Sequence, residues 1–220
     1  MTALTPHGAK QFILDNTALM APPHVPEILL RLADEAHDLW QRTEDELVEI
    51  GLPPPFWAFA WAGGQGLARY VLDNPDTVRG KRVLDFASGS GLVAIAAMKA
   101  GAAHTLACDI DPICRAAIAV NAEANGVSLE TTIADLLDAP PPPVDVILAG
   151  DICYEKTVAG RFMRWLETAR AAGVKVLIGD PGRTYFPKSG LHQLAQYEVR
   201  TTRELEDFEI KRTGVWTFPD

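Results

Sequence analysis

Apolar and polar positions alternate in a regular succession of short and long segments from residue 81 onward. Short apolar runs predict β-strands at 82–86, 104–109, 130–134, 144–149 and 174–179. The segments near 91–100, 112–124, 157–171 and 187–196 carry apolar residues at helical spacing and predict α-helices. Strands that alternate with helices are typical of a parallel sheet covered on both faces and joined by right-handed crossovers. The pattern therefore predicts an α/β protein.

The N-terminal part of the chain has a helical pattern of its own. Pro26 is suited to the first turn of a helix. The apolar residues that follow at helical spacing are Ile28, Leu29, Leu32, Ala36 and Leu39. We expect residues 1–55 to form a helical layer packed on a domain of residues 56–220. Both simple packing and a part in substrate binding stay open as the role of this layer.

The last part of the chain carries two strand-like runs, at 197–204 and 208–218, with no helical pattern between them. Two strands joined without a crossover helix pair in antiparallel fashion. The sequence therefore predicts a parallel sheet that ends in an antiparallel hairpin at one edge.

Composition limits the class of protein. The chain has 220 residues, of which 48% are hydrophobic, enough for one domain with a buried core. No run approaches the roughly 20 apolar residues of a membrane span, and residues 1–10 show no targeting pattern. We expect a soluble, cytoplasmic and monomeric protein of a bacterium, with no membrane partner.

The net charge and the positions of cysteine and histidine residues limit the class of protein further. Lys and Arg number 20 against 29 Asp and Glu, and the net charge of −9 disfavours nucleic acid and suits a basic protein surface. Cys108, Cys114 and Cys153 lack C-x-x-C spacing and are predicted to be buried, reduced thiols. The five histidines are scattered, so no metal site is predicted.

The segment Val83-Leu84-Asp85-Phe86-Ala87-Ser88-Gly89-Ser90-Gly91 joins the strand at 82–86 to the following helix. Gly89 and Gly91 allow the backbone to approach a ligand closely. Dinucleotide-binding loops place glycine directly after the strand, so that a pyrophosphate can lie on the helix N-terminus. Here Asp85 stands at the strand end, where a carboxylate repels phosphates but can orient the loop around the methionyl end of S-adenosylmethionine. The segment therefore favours methyl transfer over hydride transfer.

Two further strand ends carry acidic residues. Asp109 lies eighteen positions after Gly91, where an acid can bind ribose hydroxyls, and Asp111-Pro112 is suited to cap and open the next helix. Asp135 can accept a hydrogen bond from an adenine amino group while Leu136 packs on the ring, although simple helix capping is the alternative. Because parallel strands end at one edge of a sheet, these acids predict a cofactor site there.

The strand at 144–149 leads into Gly150-Asp151-Ile152-Cys153-Tyr154-Glu155 at the expected switch in strand order. Enzymes that methylate planar amide or base nitrogens commonly carry N-P-P-Y or D-P-P-Y here. This chain keeps the acid and the aromatic residue but lacks both prolines, which suits a tetrahedral amine. Asp151 is predicted to hydrogen-bond a lysine amine, and Tyr154 to line its aliphatic stem or to contact the amine. A helix-capping Asp151 beside a core tyrosine is the alternative.

Trp57 and Trp61 precede Gly63-Gly64 and can cover the cofactor or narrow a lysine channel, since aromatic faces stabilise cationic methyl groups. Core packing is the alternative, more so for Trp57 than for Trp61. The predicted catalytic residues are Asp151 and Tyr154. The predicted cofactor-binding residues are Trp61, Asp85, Ala87, Ser88, Gly89, Gly91, Asp109, Ile110, Asp135, Leu136 and Ala149.

Four segments together resemble the electron transfer flavoprotein β-subunit lysine methyltransferases. They are PFWAFAWAGGQ at 55–65, DIDP at 109–112, GDICYE at 150–155 and LIGDPGR at 177–183, and the Val215-Trp216 ending also matches. The first two segments are shared widely among seven-β-strand protein methyltransferases, whereas GDPGR is much more specific to this branch. Two positions depart from the wider pattern: Ala87 replaces a glycine of many methyltransferases, and Asp135 replaces an asparagine of some relatives.

The resemblance implies a Rossmann-like class I methyltransferase fold, with a seven-stranded sheet, helices on both faces and an antiparallel C-terminal hairpin. It implies S-adenosylmethionine as methyl donor, and as acceptors lysines beside the recognition loop of the flavoprotein β subunit, methylated up to the trimethyl form. It also implies that methylation tempers docking of that loop to its dehydrogenases. Three alternatives stay open: methylation of a ribosomal-protein lysine, cofactor binding without catalysis, and nicotinamide-dependent oxidoreduction.

Overall fold

The computed structural model describes residues 6–33, 54–201 and 210–219. The helices are α1 (Pro6–Asn16), α2 (Ala62–Asp73), α3 (Leu92–Lys99), α4 (Pro112–Ala124) and α5 (Lys156–Ala171). The strands are β1 (Ala18–Met20), β2 (Leu30–Leu32), β3 (Arg82–Phe86), β4 (His104–Cys108), β5 (Glu130–Thr132), β6 (Val146–Gly150), β7 (Lys175–Asp180), β8 (His192–Arg200) and β9 (Ile210–Thr217). The five predicted parallel strands are present close to their expected bounds.

Seven of the strands form one sheet in the order β5-β4-β3-β6-β7-β9-β8. Strands β3 to β7 pair in parallel, and β9 runs antiparallel to both β7 and β8. The predicted sheet with its antiparallel hairpin edge is therefore confirmed. The chain order reverses between β3 and β6, so the connections that leave these neighbouring strands diverge and open a crevice above their carboxyl ends.

Helices cover both faces of the sheet because side chains of consecutive strand residues point in opposite directions. Val83 of β3 belongs to a core cluster with Leu67 of α2 and Ile95 of α3. Its neighbour Leu84 belongs to a second cluster with Phe162 of α5. Strand β3, buried on both faces, is thus a rigid base for the loop that follows it. Within the described residues no helix is long and apolar enough to cross a membrane.

The helix predicted after Pro26 is wrong for the described part of that segment. Residues 30–32 form β2 instead and pair antiparallel with β1. The two outer residues of β2 are buried and Arg31 between them is partly exposed, the alternation of a strand. The backbone N–H of Arg31 also donates to Asn121 Oδ1 at 2.7 Å, which ties this strand to α4. Pairing with β1 and the hydrogen bond to Asn121 therefore outweigh the helical preference that the local apolar spacing predicts.

The prediction for the rest of the N-terminal helical layer is confirmed only in part. Helix α1 is present and packs on the core, with Ile13 in one cluster with Ile118 of α4. Ala36 and Leu39 lie outside the described residues. The division at residue 55 therefore stays a prediction.

The helix predicted at 187–196 is also wrong. Residues 192–200 form β8, which pairs with β9 from His192 opposite Thr217 to Arg200 opposite Ile210. This long antiparallel ladder satisfies the backbone of an edge strand, and no local sequence window contains the partner that makes it. The segment before β8 is therefore a loop, which joins the end of β7 to this edge strand.

Candidate active site

The loop after β3 has a backbone that favours ligand approach. Ala87, Gly89 and Gly91 have φ values of 54°, 52° and 85°, in the left-handed region. Glycine adopts this region without steric cost, whereas an alanine there is strained. The conformation at Ala87 gives a physical reason for the glycine that many methyltransferases carry at this position. The alanine preserves the same turn.

Asp85 holds this loop from inside the core. Its side chain is 1% exposed, and its Oδ2 accepts hydrogen bonds from Ser88 Oγ at 2.5 Å and from the backbone N–H of Ala94 at 2.9 Å. Ala94 lies in the first turn of α3, so the carboxylate links loop and helix. Burial raises the pKa of Asp85 to about 7, against the lowering effect of the two hydrogen bonds. Asp85 therefore shapes the loop, as its place at the strand end suggested.

Asp109 closes the loop from the neighbouring strand. Its Oδ2 accepts from the backbone N–H of Gly89 at 2.9 Å, and its Oδ1 accepts from the N–H of Asp111 at 3.0 Å. A carboxylate has about four acceptor sites, so capacity remains for hydroxyl groups of a ligand. Asp111 caps α4 by accepting from the N–H of Ile113 at 2.8 Å, and Pro112 opens the helix, which confirms the predicted capping.

Asp135 lies beyond the end of β5 and has structural partners. Its Oδ1 accepts from the N–H of Leu137 at 3.0 Å, and its Oδ2 lies 3.2 Å from Arg161 Nη2, which also donates to Asp138 at 2.6 Å. Capping is thus confirmed for Asp135. Its adenine contact, and that of half-buried Leu136, stay predictions.

The remaining predicted cofactor residues have different surroundings. Ile110 is 69% exposed directly after Asp109, where an apolar side chain is available to a ring. Ala149 is fully buried in β6 among the core residues of the α5 side. Trp57 is also a core residue, in one cluster with α1 and α4, so packing is its role.

Asp151 lies directly after β6, the neighbour of β3 in the sheet. Its φ of 57° and ψ of 20° place it in the left-handed region. Its Oδ2 accepts from the backbone N–H of Gly64 at 2.8 Å, in the first turn of α2. Its Oδ1 accepts from Arg183 Nη2 at 2.7 Å and Nε at 3.1 Å. The side chain therefore caps a helix distant in sequence and makes no cap bond to the turn that follows it.

Two glycines make this approach sterically feasible. A Cβ on Gly63 would lie 2.7 Å from Asp151 Cγ and would overlap the carbonyl oxygen of Gly179. A Cβ on Gly179 would lie 2.8 Å from Leu67 Cβ. Backbone packs on backbone here, so Gly63 and the glycine of the GDPGR segment bring α2 against the ends of β6 and β7.

The GDPGR segment forms a tight turn that presents Arg183. Asp180 Oδ1 accepts from the N–H groups of Gly182 and Arg183, both at 2.7 Å. The Arg183 guanidinium carbon lies 5.5 Å from the centroid of the Trp61 ring. The sequence pattern did not single out this arginine as a site residue. The sequence feature that could have indicated Arg183 is the Asp-Pro-Gly turn that precedes it.

Three partly exposed aromatic side chains lie next to one another beside Arg183, and we call Phe56, Trp61 and Tyr154 the aromatic wall. The ring centroids of Phe56 lie 5.9 Å from Trp61 and 5.8 Å from Tyr154. Tyr154 is 52% exposed, and burial of the rest of its side chain raises the pKa of its hydroxyl. A Cβ on Gly89 would lie 4.0 Å from the carbonyl oxygen of Phe56, so the wall adjoins the loop after β3.

Two buried carboxylates give the stability of the protein a distinct pH dependence. Burial raises the pKa of Asp85 to about 7 and of Asp180 to about 6, from an ordinary value near 3.8. The folded state therefore binds these protons more tightly, and the stability they contribute is lost as pH rises from about 4 to about 7. We expect Asp85→Asn and Asp180→Asn each to make the decrease in the free energy of unfolding with rising pH smaller, by on the order of 2 kcal/mol.

Chemical denaturation followed by circular dichroism at about pH 5 and about pH 8 measures the effect. Asp76→Asn is the matched control, because the Asp76 side chain is almost fully exposed. The assignment is wrong if both buried variants keep the pH dependence of the unsubstituted protein.

The cysteine side chains lie inside the protein. Cys108, Cys114 and Cys153 are buried and form no disulfide, as predicted. In the part of the chain that the structure describes, no group of three or more His, Cys, Asp or Glu side chains is suited to hold a metal ion.

The sheet order, the hydrogen-bonded loop after β3 and the acids at successive strand ends define a class I, S-adenosylmethionine-dependent methyltransferase. The magnesium protoporphyrin IX methyltransferase of Synechocystis PCC 6803, solved with bound S-adenosylmethionine, shares the fold. It is 15% identical with a TM-score of 0.52, over 72% of this chain and 80% of that one. The family model of the ribosomal protein L11 methyltransferase (PrmA) matches residues 68–153.

Relatives that match nearly the whole chain define the family more narrowly. The electron transfer flavoprotein beta subunit lysine methyltransferase of Xenopus laevis is 40% identical over 215 residues, 95% of this chain and 86% of that protein. The human protein of the same name is 37% identical over 223 residues, 95% of this chain and 81% of that protein. The chain belongs to this family of methyltransferases, which sets aside the nicotinamide and non-catalytic alternatives. These relatives come from animals and give no support to the expected bacterial origin.

Proposed function

We propose that this protein transfers methyl groups from S-adenosylmethionine to lysine side chains of the electron transfer flavoprotein β subunit. We further propose that these lysines lie beside the recognition loop and are methylated up to the trimethyl form. The observation that carries the proposal is the aromatic wall, which adjoins the loop after β3 at Phe56 and, at Trp61, the Arg183 side chain that donates to Asp151. The names of the whole-chain relatives support this acceptor.

The cofactor side of the site fits the methyl donor. S-adenosylmethionine, when bound, supplies a methyl group on a sulfonium cation that a neutral amine can attack. The turn at Ala87 and Gly89 leaves partly exposed backbone for a ligand, and carboxylates suit a ligand with net positive charge. Residues predicted to hold it are Trp61, Asp85, Ala87, Ser88, Gly89, Gly91, Asp109, Ile110, Asp135, Leu136 and Ala149.

On the acceptor side, Asp151 is suited to orient an amine. Its carboxylate already accepts from the Arg183 guanidinium and from the Gly64 N–H, bonds that favour the ionised form. A carboxylate held in this way is a weak base but a good hydrogen-bond acceptor. We therefore assign Asp151 to orientation of the lysine amine rather than to removal of its proton, which passes to solvent.

The aromatic wall is suited to the rest of the lysine side chain. Tyr154 and Phe56 present adjoining, partly exposed ring surfaces, which can cover the aliphatic stem. Aromatic faces also attract methylated ammonium groups by about 0.5–2 kcal/mol. An acceptor that stays bound after one transfer can receive further methyl groups, so the wall favours successive methylation.

Methylation of a ribosomal-protein lysine is the second candidate, and the match to the PrmA model favours it. That match covers residues 68–153 and ends before Tyr154. It thus includes the cofactor loop and Asp151 but not Trp61, the GDPGR turn or Arg183. The relatives that match 95% of this chain favour the flavoprotein acceptor instead.

Unbiased labelling of acceptor proteins distinguishes the two candidates. The purified protein is incubated with isotope-labelled S-adenosylmethionine and an extract of cells that lack the native enzyme, and labelled peptides are identified by mass spectrometry. We expect label on lysines of the electron transfer flavoprotein β subunit. Label on a ribosomal protein, with none on the flavoprotein, overturns the proposed acceptor.

A further inference from the structure

Arg183 occupies a position that the fold builds with several independent contacts. The buried carboxylate of Asp180 accepts from two consecutive backbone N–H groups and so fixes the turn at Gly182 and Arg183. The Arg183 side chain then leaves this turn toward the crevice. Its backbone is therefore anchored, and the guanidinium reaches its partners from a rigid base.

The guanidinium lies between an acid and an aromatic ring. Nη2 and Nε both donate to Asp151 Oδ1, and the guanidinium carbon lies 5.5 Å from the Trp61 ring centroid. The side chains of Arg183 and Asp151 are only 19% and 12% exposed. Charge-assisted hydrogen bonds are stronger and shorter than neutral ones, and a planar guanidinium can donate and stack at once.

Arg183 and Gly64 hold the two carboxylate oxygens of Asp151 from different sides. Gly64 donates to Oδ2 from the first turn of α2, and Arg183 donates to Oδ1 from the turn after β7. Loss of Arg183 removes both charge-assisted hydrogen bonds to Oδ1 and so weakens the hold on the carboxylate. A shift of about 1 Å in a group that orients a reacting atom can lower a rate by about 10²-fold.

We propose that Arg183 is a positioning residue for methyl transfer, which holds the Asp151 carboxylate where it accepts a hydrogen bond from the acceptor amine. The inference rests on the proposed function, because the lysine amine is the acceptor named there. Arg183 acts through Asp151 and takes no proton or methyl group itself.

Steady-state methylation of the flavoprotein β subunit tests this role with Arg183→Ala, Arg183→Lys and the double variant Arg183→Ala with Asp151→Ala. We expect Arg183→Ala to lower kcat by about 10- to 100-fold with little change in KM or in cofactor Kd. Arg183→Lys is expected to have a kcat between those of Arg183→Ala and the unsubstituted protein. An ammonium keeps the positive charge but lacks the paired N–H donors of the planar guanidinium. In the Asp151→Ala background, where the partner of the guanidinium is gone, Arg183→Ala should change kcat by less than about twofold.

Lys188→Ala is the matched control, since Lys188 is an exposed cation on the same loop and borders the same cavity of about 350 Å³ as Arg183. It should keep near-normal kcat. An Arg183→Ala effect of equal size in both backgrounds, or one that lowers cofactor binding and thermal stability instead of kcat, overturns the positioning role.

Failure of the proposed acceptor gives a different result from failure of this inference. If the unsubstituted protein does not methylate the flavoprotein, the acceptor is wrong, and crystal structures of the unsubstituted protein and Arg183→Ala test the positioning role without activity. A rotated Asp151 carboxylate in the variant supports the role. An Asp151 carboxylate that keeps its place contradicts it.

Discussion

Asp151→Ala is expected to lower kcat for methyl transfer by about 10²-fold or more, because the acceptor amine loses the carboxylate that orients it. Asp151→Asn should retain more activity than Asp151→Ala, since its amide oxygen can still accept a hydrogen bond from the amine. A general base would behave differently: asparagine cannot take a proton, so both variants would then be equally slow. The ratio of the two rates therefore separates orientation from proton removal.

Initial rates with labelled S-adenosylmethionine and the flavoprotein acceptor measure this prediction. Glu155→Ala is the matched control, because Glu155 is an exposed acid four positions along the same connection. The assignment of Asp151 fails if Asp151→Ala keeps near-normal kcat, or if Glu155→Ala is as slow.

Asp109→Ala is expected to weaken S-adenosylmethionine binding by about 10- to 100-fold, the effect of losing one or two hydrogen bonds to a charged group. The variant loses the proposed contact to ribose hydroxyls and also releases the N–H of Gly89 in the cofactor loop. Both effects act on the same ligand.

Asp111→Ala provides a closely matched comparison by calorimetric titration. Asp111 is two positions away and caps α4, so its loss should cost about 1 kcal/mol of stability with little change in cofactor affinity. Equal loss of affinity in the two variants would contradict the separate roles of the two acids.

The parallel part of the sheet was predictable because its signals are local. Strands such as β6 are continuous apolar runs, and the Asp111-Pro112 pair marks the start of α4 within two residues. The acid at the end of β3 also indicated the class of cofactor, since a carboxylate there disfavours a pyrophosphate. Periodicity, capping and charge at one position are all visible in a short window of sequence.

The features that the sequence pattern did not predict depend on distant partners. Strand β2 forms against β1 and α4, and β8 forms against β9, so local helical spacing misled in both places. Arg183 gains its role from Asp151, which lies 32 positions earlier. Phe56 belongs to the aromatic wall because it adjoins Tyr154 and the Gly89 turn in space.

Intact-mass measurement of the purified electron transfer flavoprotein, incubated with this protein and S-adenosylmethionine, tests the central proposal most directly. We expect the β subunit to gain methyl groups in successive steps, up to three on a lysine, and fragment spectra to place them beside the recognition loop. The Asp151→Ala variant should give much slower addition. An unchanged β subunit, under conditions in which a ribosomal protein is methylated, would contradict the proposed function.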